Sequence, residues 1–351
     1  MTNKRLLSID WIKGVMILII VIYHSSFSPG FHGYLGVDVF FYISGYFLMS
    51  SFLRKPTTAV KYTWSRIKQI AAPLLICILL AGGLQVAQLL ASGGSFDSFV
   101  DTTGKVFTAS LFASEFGGEF TRDYSIILYW YLSVLVISSF ILYALLQYNE
   151  RLSTTLLFPI IVLLGYNALL CDGPSLDSYS RIGPLGAPLI RGLVEMAAGA
   201  MICYVYYHNK PSIEKRSALI NILGIFSLIL FIALMFTKEA LDKYTIITIP
   251  WILLSTVMDQ SWLNVVLCKI KGGLISRLGR YTLYVYCIHG PVQPRVHWVN
   301  EHFLHSSLSG ISLFIMELIA VAIASVVLYY LSQLIIRMVF NHENQPDHTR
   351  I

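Results

Sequence analysis

Ten stretches of this chain, at about 11–28, 35–53, 70–91, 124–147, 154–171, 189–207, 217–236, 245–263, 281–299 and 310–336, are long and apolar enough to cross a bilayer. Lipid offers the backbone no hydrogen-bonding partner, so stretches of this kind fold as helices that satisfy their own amides. The expected fold class is all-α, a polytopic transmembrane bundle of about ten helices. A mean hydropathy of +0.68, with 56% hydrophobic and 13% charged residues, leaves no soluble domain to place. One membrane domain is expected over 1–340, followed by a polar cytoplasmic tail over 341–351.

Basic residues set the orientation. With a cytoplasmic N-terminus, eighteen of the 25 lysines and arginines fall on inner connections and helix ends. The remaining seven are Lys105, Arg122, Arg181, Arg191, Lys238, Lys243 and Arg295. Both termini are therefore expected in the cytoplasm. The net charge of +6 reflects this topology and an inner anionic partner, and does not indicate nucleic-acid binding. A short basic segment precedes the first apolar stretch, but no A-x-A cleavage site follows it, so that stretch is expected to be retained. The five cysteines show no paired or metal-ligand spacing, and neither a disulfide nor a metal site is predicted. Two long outer connections, about 92–123 and 172–188, are candidates for a lid or an acceptor groove, or simply reconnect helices.

The first apolar stretch carries Lys13 and His24, eleven residues apart. An ionisable residue at membrane depth is a functional hypothesis by default, because hydrocarbon penalises it unless a partner or cavity compensates. Eleven helical steps return to nearly the same face and rise about 16 Å. The two residues mark an anion-holding end near the cytoplasm and a proton-handling end further up.

Beyond them the chain reads Gly36-Val37-Asp38-Val39-Phe40-Phe41, then Ser44-Gly45. Lys13-x10-His24 followed by this segment resembles the opening of membrane acyltransferase family 3. Weaker matches continue in order: Ser65-Arg66-Ile67-Lys68 with Pro73, Trp130-Tyr131-Leu132-Ser133, Arg191-x3-Glu195-x3-Gly199, and Leu278-Gly279-x3-Leu283-Tyr284-x4-His289-x-Pro291. The chain departs from the family pattern at Gln69, where a second arginine is usual, and at Val134 and Leu135, where a glutamate is common. The extracytoplasmic hydrolase-like domain that some members append is not expected.

The resemblance implies acyl transfer from cytoplasmic acyl-CoA, most simply acetyl-CoA, to a hydroxyl of a cell-surface glycan or its lipid-linked precursor. The setting would be a bacterial inner membrane, with no cofactor beyond the donor substrate. His24 is the expected general base and Asp38 its orienter, at matching depth in the first hairpin, with an acyl-imidazole on His24 as the competing mechanism. Asp38 has two other readings, an acceptor contact and an N-terminal helix cap. Lys13, Arg66 and Lys68 are assigned to the donor. Lys13 also reads as a snorkelling topology signal, and Arg277 and Arg280 as further inner cations.

Five residues keep an acceptor or a structural reading. Ser44 is also a packing notch with Gly45. Trp130 stacks on a ligand or fills the core. Arg191 and Glu195 form an i,i+4 pair or face the acceptor. His289 works at depth or packs between helices. The rival from another class is a proton-coupled transporter or flippase using Lys13, His24, Asp38 and Glu195 as a relay. It is disfavoured because the halves show no inverted repeat.

Overall fold

The computed structural model describes residues 7–27, 30–91, 93–111, 129–173, 175–176, 180–182, 185–270, 273–305 and 307–340. The tail over 341–351 and residues 112–128 of the first long connection lie outside them. The chain is helical: α1 (Leu7–Tyr23), α2 (Leu35–Arg54), α3 (Ala59–Ala91), α4 (Phe96–Ser110), α5 (Trp130–Tyr148), then α6 (Glu150–Asp172). A two-stranded hairpin, Arg181–Ile182 against Leu185–Gly186, precedes α7 (Ala187–Glu214) and α8 (Ser217–Leu234). A 3-10 turn (Glu239–Tyr244) leads into α9 (Thr245–Val257), α10 (Trp262–Lys269), α11 (Leu274–Arg280), α12 (Thr282–His302) and α13 (Ile311–Phe340).

The described part of each of the ten apolar windows falls mainly on helix. Among the described residues seven of these helices are long and apolar enough to cross a membrane, and eight if the 3-10 turn with α9 and α10, bent by 59°, forms one span. The other two windows fall on α1, which has 17 residues, and on α12, which carries Pro291 and Pro294 besides the polar His289, Gln293 and Arg295. The connection expected over 92–123 is not all loop, because α4 occupies its first half. Its mixture of Ser, Thr, Asp and apolar residues averages to a polar stretch, although its apolar residues recur at helical spacing.

Contacts divide the chain into two compact units. One comprises Met1–Thr63 and Trp130–Thr282, and the other Trp64–Tyr129 and Leu283–Ile351. In the first unit α2 is the central helix, buried over most positions between Leu35 and Met49 and packed most extensively on α7, with α1, α5 and α9 around it. Small residues allow the backbones of α2 and α7 to meet. A Cβ on Gly45 would come within 1.9 Å of the Met196 carbonyl oxygen, and one on Gly199 within 2.0 Å of that of Tyr42. Because the obstacle is backbone on both sides, a larger residue has to part the helices. Gly199→Val is expected to lower stability by about 3 kcal/mol, read as the thermal unfolding midpoint in detergent. An unchanged midpoint would contradict backbone contact between the two helices.

The N-terminal half of α1 is clasped by the segment around α10 and α11. Ser8 Oγ donates to the Thr256 carbonyl at 2.9 Å and Trp11 Nε1 to that of Ile270 at 3.3 Å. Gly14 faces the backbone of Ile275 and Gly279 that of Asp10. In the second unit α12 and α13 are joined by a bond from Gln333 Nε2 to Tyr284 Oη at 3.2 Å. Buried Glu317 of α13 also meets His297 Nε2 at 2.7 Å. The outward stripe of α13, including Ile315, Ile319, Ile323 and Tyr330, is exposed, as expected of a lipid-facing helix.

Candidate active site

Two of the first unit's candidate residues, His24 and Asp38, flank the connection where α1 gives way to α2. Helix α1 ends at Tyr23, so His24 is not a turn inside it but the first residue beyond it. Its amide still donates to the Ile20 carbonyl at 3.2 Å, which extends the helical ladder by one residue and preserves the rise of about 16 Å from Lys13. Both His24 and Lys13 are half-buried. The imidazole sits edge-on to Tyr23, with ring centroids 4.8 Å apart, and Tyr23 is edge-on to Tyr34 at 5.7 Å and to Phe31 at 6.3 Å.

The connection that carries His24 into α2 is pinned by a polar cluster. Tyr34 Oη donates to Asp242 and lies 3.2 Å from Ser175 Oγ. His32 Nδ1 meets Asp242 Oδ1 at 2.8 Å, while the His32 amide donates to the Met235 carbonyl at 2.7 Å. Asp242 is fully buried. These partners hold its carboxylate at the start of α9, where an unpaired buried charge would be costly.

One turn into α2, Asp38 is fully buried and receives Arg191 of α7. Arg191 Nε donates to Asp38 Oδ1 at 2.7 Å, and Nη2 donates to the same oxygen. The guanidinium lies 5.8 Å from the Trp130 ring centre and 6.0 Å from that of Tyr34. The expected bond from Asp38 to His24 is replaced by this pair. The physical reason is charge: a guanidinium buried on the neighbouring helix demands a carboxylate more strongly than a neutral imidazole does. The cap reading of Asp38 also falls away, since the N-cap of α2 is Tyr34 and Asp38 lies within the helix.

Glu195, one turn along α7, is fully buried as well. Its Oε1 lies 3.6 Å from Arg191 Nε, so the expected i,i+4 pair forms, but at a greater distance than the bond from Arg191 Nε to Asp38. Among the described residues none donates a hydrogen bond to either Glu195 oxygen or to Asp38 Oδ2. Two carboxyls thus face one guanidinium.

The remaining candidates divide between the units. Trp130 and Tyr131 pack on Phe41, with centroids 6.1 and 4.6 Å away, and Trp130 also flanks Arg191. Ser44 is half-buried, beside the Gly45 contact with α7. Arg66 and Lys68 lie on the part of α3 that belongs to the second unit, both half-buried, with Lys68 Nζ 5.8 Å from the Trp64 ring centre. His289, in the second unit, is fully buried and its Nδ1 donates to the Tyr286 carbonyl at 2.7 Å. Arg277 and Arg280 are exposed on α11. That helix packs against the Lys13 end of α1.

Sequence reasoning missed Asp242, His32 and Tyr34. Asp242 stands in the polar run Lys238-Glu239-Ala240-Leu241-Asp242-Lys243, which reads as an ordinary connection. Glu317 was visible as an acid within an apolar window, the kind of signal that flagged Lys13 and His24.

Residues 6–336 match the acyltransferase domain of the Acyl_transf_3 family. A protein of Komagataeibacter xylinus described as a membrane-bound transacylase, BcsY, is 28% identical over 119 residues, 34% of this chain and 30% of that protein. The match therefore spans about a third of each. No solved structure matches the chain.

Proposed function

The chain belongs to the Acyl_transf_3 acyltransferase family, and on that premise we propose that this integral-membrane acyltransferase moves an acyl group, in the first instance acetyl, from acyl-CoA to a glycan hydroxyl. The acceptor class is a cell-surface glycan or its lipid-linked precursor, and the setting a bacterial inner membrane. The observation that carries the reading is the pair of stations on α1. A half-buried imidazole stands at one end and a half-buried ammonium about 16 Å away, a span comparable with an extended pantetheine arm.

In the proposed reaction His24 takes the proton of the acceptor hydroxyl as the oxygen attacks the thioester carbonyl. The tetrahedral intermediate expels the CoA thiolate, which recovers the proton from the imidazolium. One ester forms and one thioester breaks. Lys13 holds donor phosphate, with Arg66 and Lys68 as further donor contacts. Asp38 is a positioning residue that acts through Arg191: it fixes α2 against α7 beside the connection carrying His24. Trp130, Arg191 and Glu195 belong to that framework, while Ser44 and His289 remain candidates for acceptor contact. The transacylase description of the K. xylinus relative supports acyl transfer at a membrane.

The test uses the full chain in proteoliposomes with radiolabelled acetyl-CoA and cell-envelope glycans. The expected result is hydroxylamine-labile label on the glycan, with one CoA thiol released per ester. Reaction with another acyl-CoA alone would replace acetyl as the donor group. Movement of a glycan precursor across the bilayer without consumption of any thioester would replace the enzyme reading with the transporter.

A further inference from the structure

In the second unit, α4 presents an apolar face that the described residues do not cover. At 100° per residue, Phe96, Phe99, Val100, Phe107 and Leu111 fall within about 120° of one another, and all five are exposed, Phe96 at 77% and Phe107 at 63%. Asp97, Ser98 and Asp101 occupy the opposite side, also exposed. The flank bearing Thr102 and Val106 is partly buried. Val106 fills the space over Gly82 of α3, where an added Cβ would come within 2.2 Å of its methyl. Helix α4 therefore doubles back beside α3, reaching a point nine residues before Ala91.

Helix α3 is long and apolar enough to cross the membrane, and its exposed Leu79, Leu84 and Leu90 are then part of a lipid-facing surface. After Leu90 only the short Ser92-Gly93-Gly94-Ser95 linker separates that surface from Phe96. A water-exposed row of three phenylalanines, a valine and a leucine would be unfavourable, whereas an amphipathic helix held at a membrane surface buries such a row among acyl chains and leaves its acids at the headgroups. We propose that α4 is a membrane-bound helix, folded back along the 82–91 end of α3, whose Phe96, Phe99, Val100 and Phe107, with Leu111 just beyond its last turn, contact the lipid of the leaflet at that end. The occupant is bilayer lipid, because the face continues the lipid-facing surface of a spanning helix. This does not depend on the acyl-transfer reading.

The experiment places single labels on the full-length chain in vesicles of phosphatidylethanolamine and phosphatidylglycerol. Bimane is attached at Phe96→Cys or Phe107→Cys on the apolar arc and at Ser98→Cys or Asp101→Cys opposite, and the signal of the similarly treated parent chain is subtracted. Quenching by brominated lipid is expected to be at least about threefold stronger on the arc than opposite, with aqueous iodide showing the reverse order. Having two arc positions keeps the test sound if one variant fails to fold. Iodide quenching on the arc equal to that opposite would overturn the proposal, placing the face in water. Protection of the arc from both quenchers would also overturn it, showing that protein covers the face. Disulfide cross-linking of Phe107→Cys between copies would overturn it in favour of a self-association surface.

Discussion

His24→Ala is expected to lower acyl transfer by about 10²- to 10⁴-fold, the range set by losing a positioned general base. The chain should still insert and fold, because the half-buried ring lies beyond the last turn of α1 and its amide bond to Ile20 does not involve the side chain. The matching measurement is binding of labelled acyl-CoA, which should change little, since the donor station is assigned to the other end of α1. Transfer at the wild-type rate would remove His24 from the chemistry. A label trapped on wild-type protein in the absence of acceptor, and lost in His24→Ala, would show that the imidazole carries the acyl group itself.

Asp38→Ala should cost about 3 to 5 kcal/mol of stability, because it leaves the Arg191 guanidinium buried without its principal partner. The paired change Asp38→Leu with Arg191→Leu should recover much of that loss, since replacing a buried ion pair by apolar residues is often close to neutral. Activity should not return with stability, because the leucines no longer fix the α2–α7 register. Glu195→Gln is expected to be mild: its carboxyl oxygens accept no hydrogen bond from the described residues, and with two carboxyls around one guanidinium a neutral group at this position balances the cluster. Thermal unfolding of the four proteins in one detergent provides the comparison. An Asp38→Ala protein as stable as wild type would mean that the pair is not buried and bonded as described.

Helix positions were legible because lipid imposes one requirement, a sustained apolar run, and averaging reveals it. Averaging also hid α4, whose apolar residues are spaced by helical turns and diluted by Ser, Thr and Asp. The Lys13 to His24 spacing could be read because it depends only on helical repeat. Partner choice could not be read in the same way. Asp38 and His24 look paired when the first hairpin is considered alone, and the competing cation lies 153 positions away on α7. Its proximity follows from the Gly45 and Gly199 contacts, which bring that helix against α2. Asp242 eluded the reading for a related reason: its partners, His32 and Tyr34, are far away in sequence, and its own neighbours look like a surface turn.

The bond between Asp38 and Arg191 also constrains how the chain is made. Synthesis runs from the N-terminus at about 5 to 20 residues per second, so α2 leaves the ribosome roughly 8 to 30 seconds before Arg191 does. Over that interval Asp38 has no guanidinium to meet, and α3, α4, α5 and α6 are made in the meantime. The acid must wait protonated or beside water, and α2 can settle into its final place only once α7 arrives. Joining these two separately inserted helices, with the charge pair between them, therefore has to precede the completed packing of this half, to which α8 to α11 are added afterwards.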